Sequence, residues 1–101
     1  MTVPPLRPAG YRFRLFVAGS TLRAQHTIGN LRRLCDQHLG PISLEIVDIY
    51  QQPELAVRNQ VFAAPTLVKL APLPLRRIIG DLSNEDRVLR ALNLPSSPDA
   101  P

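Results

Sequence analysis

The chain has 101 residues, a length that fits one modest domain and is too short for two. Its 12 basic and 8 acidic side chains give a formal net charge of +4, and every basic residue except Lys69 is arginine. The single cysteine, Cys35, excludes an internal disulfide, a Cys-x-x-Cys redox pair and a thiolate metal cage. Because aromatic residues are few and no long basic run occurs, the charge favours solubility or an acidic protein partner over nucleic acid.

Both ends of the chain are rich in proline. Residues 1–10 hold three prolines and a glycine, and residues 95–101 hold three prolines and two serines, so we expect two flexible tails around one domain at residues 11–94. No charged segment followed by an apolar run opens the chain, and no window approaches the ~18 apolar residues of a membrane span. We therefore expect a soluble, cytoplasmic protein with no membrane partner.

The first half of the chain predicts a strand, a helix and a second strand. Alternation of apolar and polar residues predicts a strand over 11–17 with one buried face. Gly19-Ser20-Thr21 ends this strand and supplies the cap of the next helix, for which Ser20 is the favoured residue. The apolar stripe of that helix consists of Ala24, Ile28, Leu31, Cys35 and Leu39. Gly40-Pro41 ends the helix, and a strand over 42–49 follows, which implies a parallel crossover.

The second half predicts a short helix, a hairpin and a last helix. Pro53 and Glu54 suit the first turn of a helix that runs to about Gln60. Strands over 66–70 and 75–79 are too close for a helix between them, so they predict an antiparallel hairpin. Ser83-Asn84-Glu85-Asp86 is typical of a capping box. The order βαβαββα is that of a thioredoxin-like α/β fold with a mixed four-stranded sheet.

The position where a thioredoxin keeps its redox cysteines, at the N-terminus of the first helix, here holds Ser20-Thr21-Leu22-Arg23. Without a thiol there, disulfide exchange is unavailable, and we interpret the fold as a binding surface. Cys35 lies on the apolar face of the helix and is interpreted as a core residue. The histidines, His26 and His38, and the carboxylates form no metal-ligand or paired-acid pattern. The sequence therefore predicts neither an enzyme nor a cofactor.

Two alternative functions stay open. Ser20 could activate glutathione in a thioredoxin-like enzyme whose backbone at Pro65 clamps the ligand, although helix capping is the stronger interpretation of Ser20. The arginines Arg76, Arg77, Arg87 and Arg90 could form an RNA-binding face, but no exposed aromatics are interleaved with them. Lys69, the only lysine, is either an edge residue that prevents aggregation or a partner contact.

Four segments resemble the KaiB family. They are Leu15-Phe16-Val17-Ala18-Gly19-Ser20-Thr21, Val47-Asp48-Ile49 with Pro53-Glu54-Leu55-Ala56, Ala64-Pro65-Thr66-Leu67, and Arg76-Arg77-Ile78-Ile79-Gly80-Asp81-Leu82-Ser83. The resemblance runs from Phe13 to Leu94 without a gap. It implies a non-catalytic protein that binds the hexameric ATPase KaiC and helps to time its phosphorylation cycle, with Pro65 at the cis-proline position of the fold.

The resemblance also implies two folds and a free homo-oligomer, a dimer or a tetramer. In the tetrameric ground state of such chains, the C-terminal half is arranged differently from the thioredoxin-like monomer that binds KaiC. Our hypothesis is that Gly80, Asp81 and Ser83 set this balance, with Pro65 in the half that would rearrange. Glycine at position 80 can adopt backbone angles closed to other residues.

The candidate contacts with the ATPase are Lys69, Arg76, Arg77, Asn59 and Gln60. Val57-Arg58-Asn59-Gln60 replaces a mostly acidic run of clock members, and His26 replaces an arginine linked in the family to KaiA. These departures favour a partner of a KaiC-like ATPase in an hourglass timer or a stress response over a full three-protein oscillator. A KaiA-like protein or a clock histidine kinase remains a further candidate partner.

Overall fold

A computed structural model describes residues 10–95 and contains seven elements in the predicted order. They are β1 (Tyr11–Val17), α1 (Leu22–His38), β2 (Ile42–Asp48), α2 (Pro53–Arg58), β3 (Thr66–Ala71), β4 (Arg76–Ile79) and α3 (Glu85–Ala91). Except for Gly10 and Pro95, the two predicted tails lie outside the described residues. Within residues 10–95, no helix combines the length and the apolar character needed to cross a membrane.

One mixed sheet of four strands organises the molecule, with the strand order β2-β1-β3-β4. β1 runs parallel to β2 and antiparallel to β3, and β3 pairs with β4 as the predicted antiparallel hairpin. The sheet therefore has β2 and β4 at its edges and places β3 in its interior. The prediction of a mixed four-stranded sheet is confirmed.

The sheet is covered on both faces, and each face has its own core. Against α1 and α3, the larger core contains Phe13, Leu15, Leu31, Leu67 and Leu92 among its buried residues. Against α2, a smaller core contains Phe16, Val47, Ala56, Val61 and Val68. Our prediction that β1 buries one face was therefore incomplete, because Phe16 on its second face is fully buried under α2. Cys35 is confirmed as a core residue, and burial raises the pKa of its thiol to about 11.

The caps of α1 and α3 lie one residue later than the sequence predicted. At α1 the side chain of Thr21, not Ser20, accepts a hydrogen bond from the backbone N–H of Ala24 at 3.1 Å. At α3 the side chain of Asn84, not Ser83, accepts from the backbone N–H of Arg87 at 3.1 Å. Since serine, threonine and asparagine all cap helices well, composition alone does not decide between neighbours.

Replacing Thr21 with alanine is expected to lower the free energy of unfolding by about 1 kcal/mol, because the N–H of Ala24 loses the side-chain oxygen that accepts its hydrogen bond. Ser20→Ala is the matched control and should leave the unfolding midpoint in urea within error, since Ser20 is exposed and caps nothing. Equal losses in the two variants would contradict the assignment of Thr21 as the cap.

Candidate functional site

The four candidate residues for the fold balance lie together where β4 ends. The N–H of Gly80 donates to the carbonyl of Pro65 at 3.0 Å, and the Ala64-Pro65 peptide bond is cis, as predicted. Asp81 accepts from the N–H of Ser83 at 3.0 Å, which forms a tight turn before α3. The hydroxyl and the N–H of Ser83 hold the pKa of the Asp81 carboxyl below its usual value. A bond of 2.9 Å from Asn30 of α1 to the Asp81 carbonyl fixes this turn against the helix.

Three of the five candidate partner contacts form one cluster on the α2 face of the sheet. The guanidinium of Arg77 donates to the carbonyls of Asn59 at 2.5 Å and of Gln60 at 2.8 Å, just after α2 ends. The carbonyls at the end of a helix carry partial negative charge and lack partners inside the helix, so an arginine satisfies them well. Arg77 therefore joins the edge strand β4 to the end of α2.

The other two candidates, Lys69 and Arg76, face the opposite side of the sheet. They are directly opposed in the β3–β4 ladder, on the face that carries Leu67 and the larger core. Lys69 is only 1% exposed, and burial together with the neighbouring Arg76 lowers the pKa of its ammonium group. No carboxylate among residues 10–95 forms an ion pair with either side chain. The interpretation of Lys69 as an edge residue against aggregation is wrong, because β3 is an interior strand.

Replacing Arg77 with methionine is expected to lower the free energy of unfolding by about 1–2 kcal/mol, because two carbonyls lose a charged hydrogen-bond donor. Arg76→Met is the matched control on the same strand and should not lower it, since Arg76 is exposed and its charge disfavours the charged form of Lys69. Urea denaturation of both variants measures this difference. A loss for Arg76→Met as large as that for Arg77→Met would contradict the assigned role of Arg77.

Exposed apolar side chains near this cluster were missed by the sequence analysis. Phe62, in the loop between α2 and β3, is 91% exposed, and Val57 on α2 is 74% exposed. On the edge strand, Ile79 is 52% exposed, and Leu75 just before it is 54% exposed. Periodicity could not identify them, because apolar residues in short elements and loops are equally compatible with burial. A cluster of large exposed apolar residues is typical of an interaction surface.

The sequence also did not predict a contact between the C-terminal end of α1 and the N-terminal end of α3. His38 in the last turn of α1 contacts Glu85 in the first turn of α3 through Nε2 and Oε1. Within residues 10–95, the Nδ1 atom of this histidine is buried without a partner. The available signal was the placement of a basic residue at a helix C-terminus and an acidic one at a helix N-terminus.

The geometry does not favour the glutathione alternative. A cavity of about 280 Å³ lies beside Pro65, between the ends of β1 and β3, and its lining is mainly apolar. Thr21 lines this cavity, but its hydroxyl already accepts from Ala24 as the helix cap. Ser20 lines a neighbouring cavity instead. The hydroxyl that would activate a thiol is therefore not placed beside the proposed backbone clamp.

The arginines of the RNA alternative are partly used within the fold. Arg77 binds the carbonyls after α2, and Arg87 donates to the carbonyl of Ile79 at 3.4 Å. Among residues 10–95, no group of three or more histidine, cysteine and acidic side chains is arranged to hold a metal ion. Two of the four arginines of the RNA alternative thus contact the protein's own backbone.

Comparison with known proteins gives a consistent result. A family model described as the KaiB domain matches residues 14–94. The circadian clock protein KaiB3 of Synechocystis is 42% identical over 82 residues, which cover 80% of this chain and 80% of that protein. The circadian clock oscillator protein KaiB of Thermostichus vulcanus is 43% identical over 93 residues, covering 89% of this chain and 83% of that protein.

Solved structures with the same fold are more distant in sequence. The N-terminal domain of Synechococcus elongatus SasA superposes with a TM-score of 0.70 at 24% identity, covering 92% of this chain and 93% of that domain. Mitochondrial thioredoxin 3 from Saccharomyces cerevisiae gives a TM-score of 0.63 at 20% identity, covering 83% of this chain and 77% of that one. These likenesses confirm the predicted thioredoxin-like fold, and at such identity they concern the fold alone.

Proposed function

This chain belongs to the KaiB family of circadian clock proteins, and we propose that it is a non-catalytic regulator that binds a KaiC-type hexameric ATPase and modulates its phosphorylation and ATPase cycle. The observation that carries the proposal is the C-terminal half of the sheet. There, basic residues and large exposed apolar residues lie side by side on an edge strand.

The charge of this surface favours a partner with acidic groups. From Thr66 to Gly80 the chain contains no acidic residue, while Arg76 and Arg77 are exposed and contribute two positive charges. Apolar contact area is available beside them at Phe62 and Ile79. Interfaces commonly combine an apolar centre with arginine and aromatic residues, which is the composition here.

Size-exclusion chromatography with light scattering tests the proposal. The protein is run alone and after long incubation with the KaiC-type ATPase of the same cell and nucleotide. We expect slow co-elution with the hexamer, as monomers that leave a larger free homo-oligomer, a dimer or a tetramer. A protein that never joins the ring would contradict the proposal. Repeating the run with a KaiA-like protein or a clock histidine kinase tests those further partners. Association with the ring but with neither of these proteins would fit an hourglass timer or a stress response.

The same proposal includes a second fold, and the turn after β4 supplies a test of it. Gly80 has a φ of +130°, which side chains rarely adopt, and a Cβ atom there would meet only ordinary contacts. Gly80→Ala should therefore destabilise the thioredoxin-like fold by about 1–3 kcal/mol through backbone strain alone. We expect more of the larger oligomer and slower association with the ring.

Gly29→Ala is the matched control for this prediction. Gly29 lies within α1, and a Cβ atom there meets nothing within 4 Å. Alanine should stabilise the helix by up to about 1 kcal/mol. The fraction of the larger oligomer should therefore not increase, and association with the ring should not become slower. Asp81→Arg, which removes the acceptor of the Ser83 N–H, is a second test. Unchanged oligomer state and association rate in both Gly80→Ala and Asp81→Arg would contradict the role assigned to this turn.

A further inference from the structure

β4 leaves one side of its backbone without a strand. It is the edge of the sheet and pairs only with β3, so among residues 10–95 no strand lies on its outer side. The bond from the Gly80 N–H to the Pro65 carbonyl makes these two a hydrogen-bonded pair of the antiparallel ladder. Because such pairs alternate, Ile78 turns its N–H and C=O toward β3, whereas Arg77 and Ile79 turn theirs outward.

Among residues 10–95, only some of the outward N–H and C=O groups of β4 have a hydrogen-bond partner. Arg87 donates to the carbonyl of Ile79, which closes the C-terminal end of the edge. The N–H and C=O of Arg77 and the N–H of Ile79 remain on the open side. A free edge of this kind is a template for an added strand.

The surroundings of the edge define what could pair with it. The side chains of Arg76, Arg77 and Arg87 place positive charge around four residues of strand. Leu75 and Ile79 expose about half of their side chains at its two ends. An extended segment with acidic side chains and alternating apolar ones would match both the charge and the apolar contacts.

We propose that the free edge of β4 binds an extended acidic segment of a partner protein, which adds to the sheet as a fifth strand. This inference deepens the proposed function and rests on it for the identity of the partner, since Arg76 and Arg77 both lie on β4, the strand that forms this edge. Backbone pairing supplies affinity in this mode, while the acidic side chains supply specificity.

A synthetic peptide tests the binding mode independently of the ATPase. The probe is acetyl-Glu-Val-Glu-Ile-Glu-Val-Glu-amide, and the control is the same peptide with alternate backbone nitrogens methylated so that it cannot pair. In NMR titrations of the labelled protein, we expect shifts and at least about tenfold slower amide exchange at Arg77 and Ile79 with the probe only. Equal effects of both peptides, or no slowing at these amides at millimolar peptide, would overturn the inference.

Two variants separate backbone pairing from side-chain contact. Ile79→Pro removes an outward N–H without breaking the β3 ladder, and Ile79→Ala removes only the apolar side chain. We expect Ile79→Pro to weaken probe binding about tenfold, and Ile79→Ala to weaken it clearly less. Unchanged amide shifts in β1 verify the fold of each variant. Equal weakening would overturn strand addition in favour of side-chain contact.

Hydrogen exchange with the KaiC-type ring distinguishes this inference from the proposed function. Slowed exchange at Arg77 and Ile79 in the complex supports the inference, whereas unchanged exchange in a formed complex overturns it. If no complex forms, the proposed function fails while the peptide result still decides the edge. Protection of these amides in the free protein that is lost on dilution would mean that a second copy occupies the edge, and this too would overturn the inference.

Discussion

Replacing Leu67 with alanine is expected to lower the free energy of unfolding by about 3 kcal/mol, which lies within the range found when buried leucines are replaced with alanine. Leu67 is fully buried in the interior strand β3, where it is opposed to Leu15 on β1 and Ile78 on β4. Truncation removes apolar contacts to both neighbouring strands and leaves a cavity that these strands cannot readily fill. The loss should appear as a lower midpoint in urea with an unchanged slope.

Leu73→Ala is the matched control for this prediction. Leu73 lies in the connection between β3 and β4 and is 79% exposed, so the same truncation removes little buried area. We expect a change within about 0.5 kcal/mol. A loss for Leu67→Ala no larger than that for Leu73→Ala would contradict the assignment of Leu67 to the core that joins the three strands.

The elements could be predicted because each carries its own local signal. Alternation marked β1, the apolar stripe marked α1, and the spacing of two apolar runs marked the β3–β4 hairpin. The second buried face of β1 was not predictable at Phe16, because its burial depends on α2 packing across the sheet. The caps differed by one residue, because Ser20 and Thr21 are both good caps and the backbone angles decide between them.

The sequence predicted which residues could belong to the candidate site, but not the long-range contacts that their side chains make. Gly80, Asp81 and Ser83 are neighbours in sequence, so their common turn was expected. By contrast, Arg77 reaches Asn59 across 18 positions, a pairing that no local pattern encodes. The burial of Lys69 depends on β3 being an interior strand, and strand order is set by the whole fold. The features that the sequence did not predict therefore depend on long-range side-chain contacts rather than on local propensity.

These contacts also divide the basic residues by role. Arg77 and Arg87 bind backbone carbonyls of the fold, whereas Arg76 is exposed and makes no hydrogen bond or ion pair among the described residues. Arg76 therefore does not have to break a hydrogen bond or ion pair of the described residues in order to contact a partner. Arg76 is therefore the candidate contact whose substitution should separate binding from stability most clearly.

Arg76→Glu is expected to weaken association with the KaiC-type ring at least about tenfold without lowering the free energy of unfolding. Reversing an exposed charge turns attraction to an acidic partner into repulsion. At the same time, the new carboxylate would lie opposite Lys69, where Arg76 now helps to lower the pKa of the buried ammonium group. Arg32→Glu on α1 is the matched control, since it makes the same change in net charge on a different element.

The pH dependence of stability gives this prediction a second readout. Because the folded pKa of Lys69 lies below its ordinary value of 10.5, the unfolded chain binds more protons between the two values. The free energy of unfolding should therefore gain a favourable contribution as the pH rises through this window. In Arg76→Glu the pKa of Lys69 should rise, so this gain should be smaller than in the native chain. Urea unfolding of Arg76→Glu and the native chain from pH 7 to about 10.5 measures the difference. An equal gain in Arg76→Glu and the native chain would mean that the two opposed side chains do not interact.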